Sequence, residues 1–239
     1  TSSLLGGRLA EAIALRDQTL PRYQAEVDLT AANLAARFNE QGLALFTDAT
    51  GAVPDVAQPY ATGNVLGFAA SIRVSDAVAL NPALLRDGTH AVTGSVLGAA
   101  DSTPNPTGGP AAFVELIDRV LDYTFGGQAQ SGVSWSSIAT SGLGPDGTLS
   151  SPFGAPPTLE GYAALVTATQ TADSASAKAA LASATSQLDG LQTRFDQRSG
   201  VDVDTEMAAM VTLQNAYAAN ARVLSTVQAM WDTLMNSVR

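Results

Sequence analysis

The chain has no cysteine in 239 residues. That excludes disulfides, thiolate zinc sites and cysteine nucleophiles together, and leaves the compartment open. Histidine occurs once, at His90, and lysine once, at Lys178. Basic residues are scarce, with 12 Lys and Arg against 22 Asp and Glu, a formal net charge of −10. Nucleic acid is therefore not an expected partner, because phosphate binding needs clustered cations. Aromatics make up only 6% although hydrophobic residues reach 46%, much of it alanine. Such a composition predicts a thin helical core rather than a broad globular one. No apolar run reaches the ~18 residues of a membrane span. Residues 1–20 carry Arg8, Glu11, Arg16 and Asp17 where a signal peptide needs an apolar stretch, so none is read there.

What the chain does have is long helical patterning at both ends. From Asp202 to Arg239 no Pro or Gly interrupts the sequence. Met210, Tyr217, Leu224, Trp231 and Val238 recur seven apart, and Leu213, Asn220, Val227 and Leu234 follow each of the first four by three residues. Rows alternating by three and four form an a/d seam, the pattern of a coiled coil. A seam that long calls for an equally long partner. Asp202 is a good N-cap, and Asp204 and Glu206 suit the first turn, where the helix dipole favours negative charge. Asn220 in the d row either restricts register and partner number or faces solvent beside a looser seam. Met207, Met210, Met230 and Met235 read as core filler or as an adaptable contact surface.

At the other end a helix is expected over Leu4–Gln41, with Ile13, Leu20, Val27 and Leu34 in one row and a kink or short break at Leu20-Pro21. Gly42 is positioned as its C-cap. Helix is expected again from Thr158 to Arg198, capped by Thr158, with Leu159, Tyr162 and Val166 marking a face that Leu181, Leu188, Leu191 and Phe195 continue. The small, polar stretch Thr167–Ala180 should be its weakest part. Residues 43–157 are rich in Gly, Pro, Ser and Thr, with turn signals at Asp48–Gly51, Asp87-Gly88, Pro104–Pro110 and Pro145–Gly147. Helices are expected there at Ser75–Leu85 and Pro110–Thr124, short strands near Leu43–Thr47, Ala91–Val96 and Gly132–Ile138, and an exposed loop at Thr103–Pro110.

Catalytic and ligand motifs fail one by one. His90 follows Asp87-Gly88-Thr89, a turn signal, with no nucleophile or orienting carboxylate placed by motif. Asp202, Asp204 and Glu206 begin like a calcium loop, but no Gly stands at the sixth position and the twelfth is Leu213. Gly6-Gly7 and Gly126-Gly127 lack phosphate-loop context, the serines of 131–141 form no nucleophile elbow, and Asp118, Arg119 and Asp122 read as a solvated helix face. No enzyme activity, cofactor or metal is expected.

The C-terminal segment resembles a known family. SGVDVDTEM (Ser199–Met207), followed by LQNAYAANARVLSTVQAMWDTL (Leu213–Leu234), is similar to the C-terminal signature of bacterial flagellar axial proteins, closest to the hook-associated proteins of the hook–filament junction. The matching pieces are Ala216-Tyr217, Ala219–Arg222 and Asp232–Leu234. GGRLAEAIALRDQTLP (Gly6–Pro21) resembles a segment that opens a long helix midway through the same proteins. GFAASIRVSDAVALNPALLRDG (Gly67–Gly88) matches loosely, and the family's N-terminal half has no counterpart here. The resemblance implies export by the flagellar type III route without a cleaved signal peptide and a final extracellular place in the flagellum. Its implied partners are neighbouring copies, hook protein, the filament-side junction protein and an export chaperone on the C-terminal helix.

The expected fold is mainly α: an elongated helical bundle with a long C-terminal coiled-coil-like helix and an irregular or mixed α/β insertion. Residues 1–42 and 158–200 would form the bundle core, 43–157 a variable outer insertion removable without loss of the bundle, and 201–239 the assembly helix. The residues expected to carry assembly are Met210, Leu213, Tyr217, Asn220, Leu224, Val227, Trp231 and Leu234. Flagellin, the filament-side junction protein and a cytosolic coiled-coil adaptor are the alternatives.

Overall fold

The computed structural model describes residues 7–200 and 202–237. Leu4 and Gly6 of the expected first helix and motif, and Val201, Val238 and Arg239 at the edges of the last, lie outside the described residues. The chain divides into two compact units, Thr1–Ala175 and Ser176–Arg239.

The first unit is organised around one helix. Helix α1 (Arg8–Ala14) leads through a π turn, Leu15–Thr19, into α2 (Leu20–Glu40) without a break. The expected interruption at Pro21 takes this form for a physical reason. The proline ring would press on the carbonyl four residues back, that of Asp17, and Pro21 has no N–H to bond it. Widening the preceding turn, with the Leu20 N–H donating to Leu15 O five residues back, gives that carbonyl room.

The row Ile13, Leu20, Val27, Leu34 is not the buried face of this helix. Leu20 and Val27 are exposed, and no residue of α1 is buried. The buried positions are Ala25, Leu29, Ala32, Ala35, Ala36 and Phe38, together with Glu26, Asp28, Asn33 and Arg37. Small side chains let surrounding segments approach α2 from nearly every direction, and the polar ones are taken in with partners. Asp28 accepts from Gln24 Nε2, Tyr60 OH, Gly67 N and Ala69 N at 2.8–2.9 Å. Glu26 accepts from Ser151 Oγ.

Gly42 ends α2 as expected, with φ at 97°. Its N–H donates to Asn39 O and that of Leu43 to Phe38 O, the paired bonds of a Schellman cap. Leu43 and Phe38 then share a small core with Val78 and Leu116.

Residues 43–157 wrap α2. Strand β1 (Phe46–Thr47) is followed by α3 (Phe68–Ser71), β2 (Arg73–Val74), α4 (Asp76–Leu80), α5 (Leu84–Asp87) and α6 (Glu115–Tyr123). Then come β3 (Gln128–Gln130), β4 (Val133–Ser134), β5 (Ser141–Leu143) and β6 (Leu149–Ser150). The strands pair antiparallel in twos, β1 with β2, β3 with β4 and β5 with β6. The helix expected over Ser75–Leu85 is split at Asn81-Pro82, because Asn81 before a proline takes an extended conformation. The strand expected at Ala91–Val96 is a single bridge from Val92 to Ser102. The Thr103–Pro110 loop is pinned rather than free: Asn105 is buried and binds Asp87 O, Asp87 Oδ1 and Pro110 O.

Helix α7 (Leu159–Ser199) begins under Thr158, whose Oγ1 accepts from Gly161 N at 3.0 Å. Leu159, Tyr162 and Val166 join Tyr60, Val65, Phe68, Ile138 and Leu143 in the main core, closed over Ala25, Leu29, Ala32 and Ala35 of α2. Farther along α7, Asp173 accepts from Arg22 and Tyr23. The segment between residues 43 and 157 therefore contributes much of the core that covers α2. The whole is mainly α with a mixed segment between the helices.

Candidate functional site

In the second unit the chain is helical on both sides of Gly200. The end of α7 is followed by α8 (Val203–Ser237). Asp202 caps α8, its Oδ1 accepting from Asp204 N at 3.1 Å and Thr205 N at 3.4 Å, and its Oδ2 from Thr205 Oγ1 at 2.8 Å. These bonds, the Thr205 hydroxyl first, hold the Asp202 carboxyl below the usual range. The acids at 202, 204 and 206 thus serve the helix start. Among the described residues no group of three His, Cys, Asp or Glu is arranged to hold a metal ion.

Every described residue of α8 is exposed. Met210, Leu213, Tyr217, Leu224, Val227, Trp231 and Leu234 are 54–76% exposed, and Asn220 is exposed among them. They occupy one a/d stripe of the helix. Val223 and Met230 flank it on one side and Met207 and Met235 on the other, all open to solvent. The stripe is thus four positions wide, broader than a strict two-residue seam. The hydroxyls of Thr212, Thr226 and Thr233 bond back to carbonyls one turn earlier, so the polar side of the helix satisfies itself.

The apolar face of α7 continues as the sequence suggests, but its burial does not. Leu159, Tyr162 and Val166 are buried, but Leu181, Leu188, Leu191 and Phe195 are 63–68% exposed. The packed core ends before them. Leu181, Leu188 and Phe195 stand seven apart, with Leu191 three beyond Leu188, so the end of α7 carries a second apolar stripe of the same period.

The other motifs singled out from sequence have structural places. His90 Nδ1 lies 2.9 Å from Thr89 Oγ1, which also accepts from Ala44 N and bonds Gly42 O. Asp118 and Asp122 are on the exposed side of α6, while Arg119 bonds the carbonyls of Ala100 and Asp101. No helix among the described residues is long and apolar enough to cross a membrane.

Residues 192–237 match the family model of the flagellar basal body rod FlgEFG protein C-terminal. The match takes in the end of α7 and all of α8, and it supports a flagellar structural role of rod or hook type. No curated protein matches the chain, and no solved structure does.

Proposed function

We propose that this protein is a structural subunit of the bacterial flagellum that assembles through the apolar stripe of α8. The observation that carries the reading is the coincidence of two features in one segment. The part that matches the flagellar rod and hook C-terminal model is also the part whose regular apolar row is left exposed among the described residues. Burying one large apolar side chain contributes about 1.5–3 kcal/mol. Seven of them along α8 amount to a gross gain on the order of 10 kcal/mol, comparable to the cost of association, so pairing through this stripe is reversible. Assembly here is packing, with no chemistry to perform. Neighbouring copies supply the opposing helices, and away from its ends the N–H and C=O groups of α8 are already paired within it.

Among flagellar positions, the hook–filament junction is favoured by the paired motifs at Gly6–Pro21 and Ser199–Leu234. In this reading hook protein and the filament-side junction protein are the axial neighbours. The chain leaves the cell by the flagellar export route, with a chaperone covering α8 until assembly, and it functions outside the cell. A rod or hook position is the second reading, favoured by the family model at residues 192–237.

Two experiments test this. Sedimentation of the purified chain should show reversible self-association, lost in the double variant Leu224→Asp/Trp231→Asp while the unfolding midpoint of the first unit is unchanged. A strictly monomeric parent protein at high concentration, with α8 protected from hydrogen exchange, would sink the assembly reading. Electron microscopy of cells lacking the protein separates the positions: detached filaments beside intact hooks mark the junction, and missing hooks mark a rod or hook component.

A further inference from the structure

Arg37 is a buried cation without a counter-ion among the described residues. It is 2% exposed, near the end of α2. Its Nη1 donates to Gly126 O at 2.9 Å and Thr124 O at 3.4 Å, carbonyls at the C-terminus of α6. Its guanidinium stacks on the Trp135 ring, 5.1 Å from the centroid. The Trp135 indole is itself fixed, donating to Tyr123 O at 2.8 Å. Among the described residues no carboxylate lies within 4.0 Å of Arg37, and its Nε and Nη2 have no hydrogen-bond acceptor. Burial alone lowers its pKa to about 10.

Arg37 also lines a cavity of about 350 Å³. Leu29, Val56, Tyr60 and Ile138 give this cavity an apolar side, and it opens to solvent past Ser136 and Ser137. Its volume is in the range of small-molecule sites, and it sets one charged group among apolar residues and uncharged polar ones such as Asn33, Gln58 and Ser141. The carbonyls of Thr124 and Gly126 and the face of Trp135 hold the planar fork in one orientation. What they leave unused is the Nε/Nη2 edge, the edge that pairs with a carboxylate through two parallel hydrogen bonds. A phosphate group, with a second charge to neutralise, would call for a second cation or a cluster of backbone N–H groups, and no Lys or second Arg lines the cavity.

We propose that this cavity is a binding site for a small organic carboxylate, its charged group on Arg37 and its apolar body against Leu29, Val56, Tyr60 and Ile138. The site lies within the first unit and does not depend on the α8 stripe, so its failure would leave the assembly reading standing, and the reverse.

The test is an NMR titration of the full ¹⁵N-labelled chain at fixed ionic strength, with sodium benzoate, benzamide and inorganic phosphate as probes. The chain has two tryptophans, Trp135 and Trp231, so the second indole is an internal control. Benzoate should move the Trp135 indole resonance saturably, with a dissociation constant on the order of 1 mM, and leave that of Trp231 in place. Benzamide, of the same shape without the charge, should bind at least about tenfold more weakly, and phosphate more weakly than benzoate. Arg37→Gln should abolish the benzoate shift. Should that variant not fold, the contrast between benzoate and benzamide on the parent protein decides. Equal binding of benzamide, tighter binding of phosphate, parallel movement of both indoles, or an unchanged shift in a folded Arg37→Gln protein would each overturn the proposal.

Discussion

Two carboxylates on α2, two residues apart, illustrate opposite ways to bury an acid. Asp28 receives four hydrogen bonds, from Gln24, Tyr60, Gly67 and Ala69, and so joins α2 to the segment that opens α3. All four partners are donors. Asp28→Asn brings in a donor of its own and must leave at least one of them unmatched. Urea denaturation should show a loss of about 2 kcal/mol for Asp28→Asn and on the order of 3 kcal/mol or more for Asp28→Ala. Glu26 is less well served. Ser151 bonds one oxygen, Arg22 stands 3.9 Å away, and Glu26 Oε2 has no partner among the described residues. Burial pushes its carboxyl up, and the Ser151 bond and the Arg22 charge only partly oppose that. A raised carboxyl pKa means that folding disfavours the ionised form. The penalty is absent below the unfolded carboxyl range, grows as pH rises through the folded value, and is fully present above it. Glu26→Gln should therefore stabilise the protein at pH 7, and the gain should shrink toward zero near pH 4. A gain that is the same at both pH values would show that charge is not its cause.

At the scale of single elements, ends decide as much as interiors. The Schellman cap of α2 places Leu43 against Phe38 and turns the chain toward β1. It needs a residue at φ 97°, and a Cβ at Gly42 would also sit 3.4 Å from His90 O. Gly42→Ala should cost roughly 1–2 kcal/mol, read as a lower thermal midpoint with no change in helix content outside the last turn of α2. Helix α8 shows the reverse case, an element well formed at its start and unsupported along its side. Asp202 secures the N-terminus, yet nothing among the described residues covers the stripe from Met210 to Leu234. An isolated helix is held mainly by its own hydrogen bonds and propensities, whereas one in a core is held by packing.

For the whole molecule, the consequential fact is which residues share the main core. Tyr60, Val65, Phe68, Ile138 and Leu143 come from the turn-rich middle of the chain, and they cover the alanine face of α2 together with the start of α7. Replacing residues 43–157 by a short Gly/Ser linker leaves Ala25, Leu29 and Ala32 facing only Leu159, Tyr162 and Val166. Circular dichroism and hydrogen exchange of that deletion protein should show α2 unprotected and the cooperative transition of the first unit lost. A protein that keeps a sharp transition would mean that α2 and α7 suffice as a core.

The pattern of local residues alone determined the helices at both ends, the caps at Gly42, Thr158 and Asp202, the turn-rich character of the middle, and the apolar stripe of α8. Each depends on spacing or on backbone chemistry within a few residues, which a linear reading captures. The sequence could not say which face of α2 is inside, because alanine carries little signal and the heptad row Ile13, Leu20, Val27, Leu34 looks more persuasive than the face that is buried. Nor could it say that Asp28 and Arg37 are interior. Burying a charge is favourable only where distant partners meet it, and Gly67, Ala69, Gly126 and Trp135 reach α2 only through the tertiary fold. Period told that Leu181, Leu188 and Phe195 form one row of α7; only the end of the packed core after Val166 decided that this row is left open to solvent.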